Sequence, residues 1–142
     1  MLRVFLSVLA GLVVGVISIT LLQMVGHLIY TPPSITDSAS YKVYFDTAPA
    51  GALLMVVLAH AMGTLVGGVA ALKVSKGTQL AGVIVGIFFV LATVTDLVNM
   101  LIKNITPPIW FTILDPLCVI MATYALYKYV HLVVSSPKNS SK

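Results

Sequence analysis

Glutamate is absent from this chain, and aspartate occurs only at positions 37, 46, 96 and 115. Charged residues of both signs make up 8% of it, against about a quarter in an ordinary soluble domain. So little charge cannot cover a water-facing surface. The polypeptide is expected to be an integral membrane protein, with the lipid bilayer as its first partner. Cysteine is nearly absent as well. Cys118 stands alone inside an apolar run, which excludes a disulfide and a cysteine-based metal site. Basic residues never cluster with aromatics on a polar face, so the net charge of +4 is a matter of topology and no nucleic-acid partner is expected. No nucleophile, metal triad or phosphate-binding loop accompanies the few acids. The reading is therefore of a non-enzyme, with no catalytic residues, no metal and no cofactor.

What the chain has instead is long apolar runs. Hydrophobic residues are 59% of the total, and mean hydropathy is +1.07. Four runs, over residues 4–30, 50–73, 79–102 and 108–134, are each long enough to cross about 30 Å of hydrocarbon at about 1.5 Å per residue. They imply an all-α fold, a four-helix transmembrane bundle occupying residues 1–134, followed by a short disordered cytoplasmic tail, 135–142. The first run is too long for the apolar core of a cleaved signal, so it should remain as an anchor. Thr31-Pro32-Pro33 should stop it. A loop rich in serine and aromatics follows, with a short interfacial helix expected around residues 41–45. With both termini inside, Arg3, Lys73, Lys76, Lys128, Lys138 and Lys142 fall on the cytoplasmic side, and only Lys42 and Lys103 fall outside. That asymmetry favours an N-in, C-in orientation.

The second run organises the rest. Ala59, Gly63, Gly67 and Ala71 fall four apart and line one helix face, a small-residue edge suited to close packing. Gly11 and Gly15 in the first run, and Gly82 and Gly86 in the third, repeat the motif. These pairs act as packing elements, either within the chain or between chains. The first and third runs also share a following Thr-Pro-Pro (31–33 and 106–108), which raises internal duplication about an axis along the membrane normal.

The polar groups gather at the opposite depth. Gln23 and His27 are four apart and share a face. Thr93, Asp96 and Asn99 form a stripe closing the third run, Asp115-Pro116 sits two turns into the fourth, and the proline should kink that helix. Counted from the helix ends, Gln23, Asp96 and Asp115 each lie about 10 Å below the outer boundary, and His60 lies at about 15 Å. A carboxylate within the membrane costs about 2.5–3.5 kcal/mol on insertion scales, so these groups should face one another or water, never lipid. Gln23, His27, His60, Asp96, Asn99 and Asp115 are the candidate ligand or proton site. A hydrogen-bond network that sets helix register is the plainer alternative. Because the second and third helices are joined by a short turn, Asp96 is the expected partner of His60.

The exit of the first helix, Gln23-Met24-Val25-Gly26-His27-Leu28-Ile29-Tyr30-Thr31-Pro32-Pro33, resembles a family of small, uncharacterised four-helix bacterial membrane proteins. That family reads Glu-x-x-Gly-His-x-(Ile/Leu)-(Tyr/Phe)-Pro-x-Pro at this point. Pro49-Ala50-Gly51-Ala52 and the glycines at 63, 67 and 68 are similar to its next helix. The resemblance implies a bacterial inner (plasma) membrane location and carries no activity with it. Gln23 stands where that family has glutamate. Two functional readings follow: an accessory or assembly subunit that joins a homo-oligomer or larger membrane complex through its glycine faces, or a small transporter or channel whose outward polar cavity binds a cation, a proton or a small polar ligand.

Overall fold

The computed structural model describes residues 2–32, 37–76 and 78–134. Pro33, Gly77 and the expected tail at 135–142 lie outside the described residues. The architecture is all-helical: α1 (Leu2–Ile29), α2 (Ser38–Thr47), α3 (Ala50–Val74), α4 (Gln79–Ile102) and α5 (Ile109–Val134). α1, α3, α4 and α5 are long and apolar enough to cross a membrane, which makes this a multi-pass membrane protein. The expected bundle is therefore present, with α2 as a fifth, shorter element.

α3 is the hub. It packs against α1, α4 and α5, while α4 also touches α1 and α5. Apolarity cannot select which face of such helices turns inward, because lipid is as apolar as a protein core; small and polar residues do it instead. In α1 the buried positions are Ser7, Gly11, Gly15 and Gly26. The glycine pairs of α1 and α3 meet directly: a Cβ at Gly67 would stand 2.6 Å from the Gly11 carbonyl, and one at Gly15 would stand 2.9 Å from the Gly63 carbonyl. The α1–α3 glycine edge is thus an internal seam. Gly82 and Gly86 serve other contacts, with Leu72 and with Thr123, so the two GxxxG pairs of the proposed repeat are not equivalent in packing. Around them Ala71, Ala81, Val85, Phe89 and Val119 form a core cluster, packed against Val4, Val8 and Leu12 near the start of α1.

Local chemistry ends each element. α2 starts in a capping box: the Asp37 carboxylate accepts the Ser40 amide at 2.8 Å, and Ser40 Oγ accepts the Asp37 amide at 3.0 Å. The Ser40 amide, and after it the Ser40 hydroxyl donating to Asp37 Oδ1 at 2.8 Å, hold the Asp37 carboxyl below its ordinary range. Ala48 is extended at φ −61°, ψ 131°, as the residue before Pro49 must be, and this stops α2. Just beyond α4, Asn104 adopts a left-handed φ of 55°, while Ile105 donates back to Met100 at 2.9 Å and Asn104 to Leu101 at 3.0 Å. Ile105 then drops into the core beside Phe45, Leu53, Val57 and Phe111. α5 continues as one helix through Pro116.

Candidate functional site

The α2 end of the bundle holds a cavity of about 250 Å³ with walls from all five helices. Its polar lining is Gln23 and His27 from α1, His60 from α3, Thr93 and Asp96 from α4, and Asp115 from α5. Val56, Leu97, Met100 and Phe111 supply carbon surface, and α2 lays Tyr41, Tyr44 and Phe45 across the top. The α2 rings form a connected set: Phe45 lies 5.4 Å from Tyr41, 5.6 Å from Tyr44 and 5.8 Å from Phe111, centroid to centroid. Phe45 is the buried anchor of that set and ties α2 to the bundle core.

At the floor, His60 Nδ1 stands 2.9 Å from Asp115 Oδ1 and 3.0 Å from Oδ2. Near-equal distances to both oxygens suit an Nδ1–H donating between them. Asp115 is 3% exposed, whereas the His60 side chain keeps 20% of its surface. His60 Nε2 makes no further hydrogen bond, and no buried side-chain nitrogen or oxygen among the described residues lacks a partner. Nε2 is therefore accessible. Thr64 is wholly buried a turn deeper and donates to the His60 carbonyl at 2.8 Å.

The pairing with Asp115 replaces the expected one with Asp96. The expectation relied on depth and on chain proximity, but both acids sit at similar depth and α3 packs on α5 as well as α4. Azimuth decides. Gly63, Gly67 and Ala71 face α1, whereas His60 and Gly68, one residue round, turn to α5, where a Cβ on Gly68 would meet Leu126. Asp115 lies on the seam of α5 itself, with Phe111, Val119, Ala122 and Leu126 as its buried neighbours at steps of three and four. That heptad-like run through an acid was the overlooked signal.

Asp96 has a different role. Its carboxylate lines the cavity, stays accessible, and makes no hydrogen bond or ion pair with a described residue. Its charge reaches α2: the Tyr41 phenol is pushed up first by burial and then by Asp96. Burial, with Tyr41 as the smaller cause, also raises Tyr44. Asn99, the remaining sequence candidate, is exposed and outside the lining. Steps of three drift by about 60° per step on a helix of 3.6 residues per turn, so the stripe that begins inside at Thr93 has left the interior by Asn99. No group of three or more His, Cys, Asp or Glu able to hold a metal occurs among the described residues.

Fold and site together define a helical multi-pass membrane protein with a polar cavity capped by an aromatic helix. No protein family model, curated protein or solved structure matches the chain.

Proposed function

We propose that this protein binds a small polar or cationic solute in the cavity beneath α2 and works as a small transporter or channel, not as an enzyme. One observation carries the reading. Asp96 holds a carboxylate against the cavity with no partner among the described residues, although a carboxylate in a spanning helix costs about 2.5–3.5 kcal/mol. A network whose only purpose was helix register would have paired it, as it pairs Asp115. The Lys/Arg asymmetry supports N-in, C-in, so the cavity would open outward, and the α1 exit motif supports a bacterial inner-membrane location.

The accessory-subunit reading depended on glycine faces being available to a partner. The α1 and α3 pairs pack on each other, which weakens it. Native mass after mild detergent extraction separates the two. Monomers or small homo-oligomers without another polypeptide are expected, and a stoichiometric foreign chain would favour the subunit reading.

A further inference from the structure

Building on that cavity reading, we infer that the solute is a small organic ammonium ion, held by the Asp96 carboxylate and the aromatic face of α2. Charge comes first. Among the described residues the lining contains Asp96 and Asp115 and no lysine or arginine, and its imidazoles are His60 and His27. Asp115 is engaged by His60 through both oxygens, which leaves Asp96 as the carboxylate free to meet a solute among the described residues. Anions are repelled by such a site.

Among cations, the wall discriminates. A bare inorganic ion needs several oxygen ligands, and beyond Asp96 the available oxygens are one glutamine amide, the Thr93 hydroxyl, which already donates to the Phe89 carbonyl, and two phenols, set among Val56, Leu97, Met100 and Phe111. An alkylammonium ion is different. It spreads its charge over C–H groups that carbon walls accept, and aromatic faces attract it. Tyr41 and Tyr44 close the cavity from the α2 side, and Asp96 is near enough for its charge to act on the Tyr41 phenol. Size agrees too: about 250 Å³ exceeds the cavity of about 150 Å³ that holds a benzene.

The test is isothermal titration of the purified full chain with tetramethylammonium chloride, beside sodium chloride at equal ionic strength and tert-butanol as a neutral solute. Saturable binding of tetramethylammonium alone is expected. Asp96→Asn should weaken it about tenfold or more, as loss of a contact to a charged group does. Tyr41→Leu, which keeps apolar bulk and leaves the acid in place, should weaken it roughly three- to tenfold, so the inference stays testable if Asp96→Asn does not fold. Binding of tert-butanol or sodium in place of tetramethylammonium would overturn the ammonium assignment and leave the cavity reading standing. Tetramethylammonium binding indifferent to both substitutions would also overturn it. If none of the three solutes binds, the assignment fails, and the cavity reading fails with it.

Discussion

Replacing His60 with alanine strands the Asp115 carboxylate, which is 3% exposed and has both oxygens within 3.0 Å of the imidazole. Leaving a buried carboxylate without its partner costs about 3–5 kcal/mol. The one-fifth exposure of His60 lets water approach that side, so about 3 kcal/mol is expected. Asp115→Ala is milder, because the imidazole it leaves behind can turn a nitrogen to the cavity; loss of one hydrogen bond to a charged group gives about 1.5–3 kcal/mol. Asp115→Asn keeps an acceptor and should cost about 1 kcal/mol. The double alanine variant removes the stranded charge, so its cost should fall short of the sum of the singles by about 1.5 kcal/mol or more. Equilibrium unfolding in mixed micelles, with the anionic detergent fraction as denaturant, measures each corner of the cycle. Singles that add to within about 0.5 kcal/mol would mean the two side chains do not interact and would refute the geometry.

Three further outcomes follow from the packing and the caps. Gly67→Ala puts a Cβ 2.6 Å from the backbone oxygen of Gly11, so α1 must move and about 1–3 kcal/mol should be lost. Gly26→Ala meets only Met55 at 3.2 Å and should cost little; equal costs in the same unfolding assay would contradict the seam. Asn104→Val forces a branched residue into φ 55° and should destabilise by about 1–2 kcal/mol, whereas Asn104→Gly should be neutral or better. Tyr41, raised chiefly by burial, favours its neutral form in the fold. Its contribution is therefore complete below the ordinary phenol value of about 10 and fades as pH climbs through the higher folded value. Ultraviolet titration of wild type minus Tyr41→Phe reads that value, and Asp96→Asn should lower it part of the way back.

Much of this was legible in the residues for a physical reason. Long apolar runs can only be spanning helices, and a file of Ala59, Gly63, Gly67 and Ala71 can only be a close contact, so the central place of α3 followed. The convergence of Gln23, His27, His60, Asp96 and Asp115 on one end of the bundle was also readable, because depth along a helix is linear in residue number. Rotation about the axis was harder. Asp96 and Asp115 share a depth, so depth alone cannot choose the partner of His60, and steps of three carry Asn99 away from the face of Thr93. The plain sequence signal of α2 is its aromatics, Tyr41, Tyr44 and Phe45. The Asp37–Ser40 capping box that starts it uses serine where glutamate or glutamine usually marks the motif.

The central claim is that the polar groups line one water-accessible cavity opening at the α2 end. Single cysteines on a Cys118→Ser background, treated with a membrane-impermeant maleimide in intact cells, test it most directly. Val56→Cys and Leu97→Cys lie in the cavity wall, while Val94→Cys and Ile120→Cys are exposed on the lipid-facing surface. Labelling of the first two from outside, with the second two protected, is the predicted result. Protection of all four, or labelling of the cavity pair only from the side of the termini, would contradict the account.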